Sequence, residues 1–389
     1  MLAGVHFLID LFASMLPAIL PAIREEFSLS LSRGGFVLAA LLMTSNGLQP
    51  LIGHMRARKR RPLFLHLGLI VAAGICLLGV LPRGSGAFAL MILLALVSGC
   101  GIAIVHPEGL RAVHWLRRIP SSVSTAVFMA GGFLGYASGG VVSAFLVSRF
   151  GMKGLYPLIF CPVIGIVLVI FLRIRLAVER EVRDKDLART QKNRLSFWLI
   201  MAMAMPAAVS TTILANLLPT VLNELGFELT FGGFSITMFG LGGAVGSFAW
   251  AYIARKKGEL KCSIASLFLV IPFLVAYLAL IENKMAIWML FGAGFCAVAA
   301  YVLMITLSRH AAGLSLGQRM GFMVGGTWAL ANIVFMALLP AAEHFGTDAL
   351  LQFVPLGYLF SALFGLFIIL KTKNRLNTNL LAQQPTTEA

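Results

Sequence analysis

Twelve apolar runs, each long enough to cross a bilayer, decide what this chain can become. A transmembrane helix needs about 20 consecutive, mostly apolar residues. The sequence supplies such runs at roughly 2–23, 34–54, 63–82, 86–107, 121–146 and 155–172, then at 197–221, 231–253, 261–281, 285–307, 320–341 and 349–370. Between the sixth and seventh runs the pattern breaks. Arg173 to Ser196 carries eight basic and four acidic residues in a chain where only 12% are charged. Each ionised group would cost about 2.5–3.5 kcal/mol at the bilayer centre, so this segment stays in water, and it is too polar to build a core of its own. The expected fold is all-α, a polytopic membrane protein with 12 transmembrane helices in two pseudo-symmetric six-helix bundles. The bundles cover 1–172 and 197–373, the linker covers 173–196, and a flexible tail covers 374–389. An apolar content of 59% and a mean hydropathy of +0.92 set the soluble classes aside.

A net charge of +16 would suggest nucleic acid in a soluble chain, but here the distribution of charge decides. Of the 31 Lys and Arg residues, 25 fall in connections on one side of the expected spans, the linker among them. Only Arg24, Arg33, Arg83, Arg149, Lys153 and Lys284 fall on the other. The positive-inside rule then places both termini and the linker in the cytoplasm. The excess charge is expected to meet anionic membrane lipid, with no nucleic-acid partner. Cys76, Cys100, Cys161, Cys262 and Cys296 lie at or inside spans without CxxC spacing, so neither a disulfide framework nor a metal site is implied. The first run is of full span length and reads as a retained helix rather than a cleaved signal.

The halves are repeats. LPAIREEFSLSLSRGGF at 20–36 aligns with LPTVLNELGFELTFGGF at 218–234 at a constant offset of 198. Pro21 meets Pro219, Glu26 meets Glu224, and Gly34, Gly35 and Phe36 meet Gly232, Gly233 and Phe234. At the same offset Arg58 and Lys59 meet Lys256 and Lys257. Same-direction repeats about an axis along the membrane normal are one architecture of secondary transporters, with substrate bound between the halves.

Within this frame few residues carry chemistry. His6 and Asp10 are four apart, on one face of the first span. Asp10 is the only acidic residue well inside any expected span; it reads either as a structural hydrogen-bond partner or as a protonatable coupling site. His106, Glu108 and Arg111 crowd around Pro107, which is expected to break or end the fourth span near the cytoplasmic mouth. That cluster reads as a helix cap, or as a gate or proton relay. Gly131, Gly135 and Gly139 form a packing face on the fifth span. Uncharged candidates for a substrate cavity are Asn46, Gln49, Phe133, Ser210, Thr212, Asn216, Tyr301, Trp328 and Asn332. The chain has no Walker sequence, metal-ligand spacing or nucleophile motif, so no cofactor and no enzymatic activity are expected.

HFLID at 6–10, QPLIG at 49–53, GGFLG at 131–135 and HPEGLR at 106–111 together resemble the major facilitator superfamily. Within it they resemble the fosmidomycin-resistance-like efflux transporters. The resemblance implies functional roles for His6, Asp10, His106, Glu108 and Arg111. Three positions depart from the pattern: Ala57 stands about where the turn after the second span normally has Asp, Gly139–Gly140 replaces a Gly-Pro pair, and Phe133 replaces Asn.

The expected function is secondary export of a small organic compound across the cytoplasmic membrane, coupled to protons, by a monomer working through alternating access. Uptake or facilitated diffusion of a small metabolite is the alternative within transport. A transporter-like sensor or scaffold is the alternative outside it.

Overall fold

The computed structural model describes residues 1–56, 60–84, 86–116, 121–176, 195–309, 311–314 and 316–381. Most of the linker, the basic-turn residues Ala57, Arg58 and Lys59, and the end of the tail lie outside the described residues. Among the described residues, twelve helices are long and apolar enough to cross a membrane. In chain order these are α1 (Leu2–Phe27), α2 (Leu31–Arg56), α3 (Leu63–Val80), α4 (Ala87–Val113), α5 (Val127–Phe150), α6 (Met152–Phe171), α7 (Phe197–Glu224), α8 (Leu229–Lys257), α9 (Glu259–Ala279), α10 (Lys284–Arg309), α11 (Phe322–Phe345) and α12 (Thr347–Lys371). The described residues contain no named strand, only an isolated bridge between Ser196 and Ala312.

One boundary differs from the sequence expectation. Pro107 does not end its helix, which continues unbroken from Ala87 to Trp115. Proline removes one N–H, but neighbouring helices and side chains resatisfy the freed backbone groups in membrane helices.

Helix association in lipid depends on close packing rather than on hydrophobic transfer, and small residues set the geometry here. The glycines of α5 receive α1: a Cβ on Gly131, Gly135 or Gly139 would overlap the backbone of Ala3, Phe7 or Leu11. The repeat is visible in the same terms. The Leu41 carbonyl of α2 faces Gly99 of α4, and the Phe239 carbonyl of α8, 198 residues after Leu41, faces Gly294 of α10, 195 residues after Gly99. Buried side chains form two cores, one drawn from residues 2–176 and one from 197–368 together with Leu31.

The halves meet along α2 and α11, where Gly47 faces Ala329 and Gly325 faces the Asn46 carbonyl, and along α5 and α8, where Gly140 packs on Gly233. At the face where α1 ends, polar contacts reach across. Arg24 pairs with Glu224 at 3.3 Å, and the Ser32 hydroxyl donates to Glu343. At the other face the linker ends are tied down: the Leu176 N–H donates to the Arg60 carbonyl at 2.9 Å and the Ala312 N–H to the Leu195 carbonyl at 2.8 Å. α1 is the most enclosed span, with 72% of its most apolar window buried against 28% for α6. Asp10 thus stands on the span most enclosed by protein.

Candidate functional site

Asp10 sits between two imidazoles. His6, one turn back on α1, places Nε2 3.3 Å from Asp10 Oδ2. His106, arriving from α4, places Nε2 3.0 Å from Asp10 Oδ1. Both rings are aimed by their other nitrogen. His6 Nδ1–H donates to the Phe128 carbonyl on α5 at 2.8 Å, and His106 Nδ1–H donates to the Ile102 carbonyl at 3.0 Å. The Phe128 ring stacks on His6 with centroids 4.1 Å apart, and the two imidazoles meet edge-on at 5.2 Å. His6 is buried, while Asp10 and His106 keep about a fifth of their side chains exposed (19% and 21%), so the cluster is reachable by solvent or solute.

This arrangement revises the expected grouping of residues. Asp10 has an imidazole on either side, and His106 and Glu108 turn to different partners. The helix runs through Pro107, so positions 106 and 108 lie about 200° apart around α4 at 3.6 residues per turn. His106 turns to Asp10. Glu108, 1% exposed, turns instead to Arg56 at 3.1 Å and Arg111 at 3.5 Å. Arg111 also donates to the Arg56 carbonyl at 2.8 Å, and Arg56 donates to the Arg61 carbonyl at 2.9 Å while lying over the Phe64 ring at 4.3 Å. The second cluster fastens the α2–α3 turn to α4 within the first half.

The uncharged candidates are dispersed. Asn46 and Gln49 donate to their own helix at Leu42 and Ser45. Phe133 is half-buried, and Ser210 packs against Gly357 of α12. Thr212 and Asn216 are buried in α7, the Thr212 hydroxyl with no hydrogen-bond partner among the described residues. Tyr301, Trp328 and Asn332 do form a group. The Tyr301 hydroxyl donates to the Met323 carbonyl in a π-helical turn at Phe322–Gly326, its ring meets Trp328 edge-on at 4.9 Å, and the Asn332 amide donates to the Trp328 carbonyl at 2.8 Å.

Three contributors to the first cluster escaped the sequence reading: Phe128, which orients His6; Gly132; and Tyr136, within electrostatic range of Asp10. A Cβ on Gly132 would lie 2.6 Å from His6 Nε2 and 2.5 Å from Asp10 Oδ2. A signal was present, because the stripe at 131, 135 and 139 explains only one of the paired glycines. His6, Asp10 and His106 are the one set of metal-ligand types whose donor atoms converge within 4.8 Å among the described residues. Each ring meets a different carboxylate oxygen, His106 through a hydrogen bond and His6 at ion-pair distance. A bound cation would draw both nitrogens and one oxygen to a single point.

The sequence pattern of the Major Facilitator Superfamily matches residues 2–336. The chain belongs to that superfamily. It is therefore a multi-pass membrane transporter acting on a small-molecule substrate, and not an enzyme. Among superfamily members, it is similar to the fosmidomycin resistance protein of Escherichia coli (strain K12), at 26% identity over 165 residues. That match spans 42% of this chain and 40% of the relative's own length. It is also similar to the uncharacterized MFS-type transporter YfnC of Bacillus subtilis (strain 168), at 24% identity over 90% of this chain and 88% of YfnC. In fold it matches a bacterial homolog of the human lysosomal transporter Spinster in an inward-facing, unoccupied conformation. The TM-score is 0.72 at 14% identity, covering 95% of this chain and 96% of that one. The occupied form of the same homolog gives 0.69 at 16% identity, covering 96% and 95%.

Proposed function

We propose that this protein exports a small organic compound across the cytoplasmic membrane in exchange for protons, by alternating access of its two halves. The observation that carries the reading is Asp10 held between His6 and His106 on the most enclosed helix. Intramembrane carboxylates and histidines are costly, and they mark ion or proton paths. A carboxylate bridging two imidazoles exchanges protons readily because imidazole titrates near neutral pH. Fosmidomycin is the first compound to test, given the partial likeness to a fosmidomycin resistance protein. Glu108 and Arg111, with Arg56, brace the cytoplasmic end of the first half, and the group of Tyr301, Trp328 and Asn332 lines the route on the second.

In this reading both termini and the linker are cytoplasmic, the bundles span 1–172 and 197–373, and a monomer suffices. Single cysteines at 185 and 283 in a cysteine-free background test the topology, because impermeant reagent outside intact cells should reach only 283.

The function itself is tested by reconstituting the full chain and imposing a proton gradient. Fosmidomycin should accumulate against its gradient and leak back when a protonophore is added. Flux that ignores the proton gradient would mark facilitated diffusion instead. Absence of flux for this compound and for a wider panel would favour a non-transporting role.

A further inference from the structure

We propose that His6, Asp10 and His106 form a binding site for a divalent transition-metal ion of the zinc type. Its ligands are Nε2 of each ring and one Asp10 oxygen. No sequence spacing announces the site, because His106 lies 96 residues from Asp10.

Both rings are held as metal ligands usually are. A backbone carbonyl oxygen only accepts hydrogen bonds. Nδ1 of His6, 2.8 Å from the Phe128 carbonyl, therefore carries hydrogen, and so does Nδ1 of His106, 3.0 Å from the Ile102 carbonyl. In a neutral imidazole that leaves Nε2 with its lone pair free to coordinate. Donation from the far nitrogen to a carbonyl is the common support of a metal-binding histidine, because it fixes the tautomer and the ring. Both Nε2 atoms are aimed at Asp10.

His6 supplies the observation that points to an ion. Its residue is 4% exposed, and its Nε2 makes no hydrogen bond among the described residues. That nitrogen stands 3.3 Å from Asp10 Oδ2, lone pair against lone pair. Zinc holds nitrogen and oxygen at about 2.0–2.2 Å in a tetrahedron, which sets two ligand atoms about 3.3 Å apart. The His6–Asp10 separation is thus that of two ligands on one ion. The three donor atoms lie within 4.8 Å of one another, so closing them on a single ion takes a shift of at most about 1.5 Å. Gly132 keeps the space beside them clear, since a Cβ there would lie 2.6 Å from His6 Nε2 and 2.5 Å from Asp10 Oδ2.

Two imidazoles and one carboxylate suit zinc and its first-row neighbours, whereas magnesium and calcium take oxygen ligands. Three protein ligands leave a fourth position open, and the partial exposure of Asp10 and His106 gives the ion a way in. If Asp10 exchanges protons as proposed above, a bound ion stops that exchange; the site itself does not depend on that reading.

The test uses the full, untagged chain in a cysteine-free background, stripped with a chelator and held in lipid nanodiscs. Zinc should bind at one equivalent by calorimetry, and cobalt in its place should show the visible bands of a low-coordinate site with nitrogen ligands. His6→Asn, His106→Asn and Asp10→Asn should each weaken zinc binding by more than the about 10–100-fold that loss of an outer-shell contact costs. Gly132→Ala, which removes no ligand, should weaken it too, while His66→Asn on α3 should bind as the parent does. Unchanged elution of the chelated variants separates a lost ligand from a lost fold. No saturable binding by the parent protein, or binding that survives His106→Asn and Asp10→Asn together, would overturn the site. Neither result bears on proton-driven flux, which the reconstitution above tests separately.

Discussion

α1 and α7 hold equivalent places in the two halves, 198 residues apart, and both carry the proline that the repeat aligns, Pro21 and Pro219. At the positions of His6 and Asp10, α7 has Ala204 and Ala208, buried to 0% and 2% exposure. One helix thus carries a titratable cluster where its counterpart carries only packing. The duplicated scaffold fixes where a side chain can stand; it does not fix what the side chain does. A second pair makes the same point at the face where α1 ends. Glu26 pairs with Arg83 inside its own half at 2.8 Å, whereas its repeat mate Glu224 pairs with Arg24 across the halves. Equivalent carboxylates have become a local anchor in one copy and a bridge between the halves in the other.

Substitutions that make the halves alike should break this asymmetry. The largest effect is expected from Ala208→Asp, which gives α7 the acid of α1 without its imidazoles. An unpartnered carboxylate deep in a span costs about 3 kcal/mol, so the variant should melt far below the parent protein in detergent or fail to insert. A stable variant would show that the second half also holds partners for a charge. Glu108→Gln removes the only carboxylate paired with Arg56 and Arg111 among the described residues. Losing hydrogen bonds to charged groups there should cost about 2 kcal/mol, seen as a lower Tm, with proton dependence unchanged.

Gly132→Ala acts on the asymmetry from outside, because its Cβ would intrude on His6 and Asp10 together. Overpacking costs about 1–3 kcal/mol, and proton-driven flux should fall about tenfold while the protein stays folded. The smallest effect belongs to the ion pairs. Arg24→Ala removes a partly exposed contact worth less than about 1 kcal/mol. Spin-label distances between the halves at that face should then shift toward separation. Arg83→Ala, which breaks the pair within one half, should leave those distances alone.

The spans were legible in the sequence because each depends on local composition and length. Asp10 was legible for the same reason, since an acid inside an apolar run stands out. The cluster around it was not. His106 lies 96 residues away, and its neighbours Pro107 and Glu108 suggested a helix end, which drew all three into one group. Only the unbroken helix, which turns positions 106 and 108 to different sides, separates the histidine beside Asp10 from the glutamate paired with Arg56 and Arg111. Phe128 contributes through its backbone carbonyl and ring stacking, a role no side-chain motif announces.

In the proposed function, chemistry in the first half, at Asp10, couples proton movement to solute movement through a scaffold shared by both halves. The most direct measurement is gradient-driven accumulation by Asp10→Asn in proteoliposomes beside the parent protein. The substitution keeps shape and hydrogen-bonding capacity while removing the carboxylate's titration. Accumulation against the solute gradient should fall to background at every pH, with solute binding retained. Uphill transport by Asp10→Asn with an unchanged dependence on the proton gradient would contradict the account.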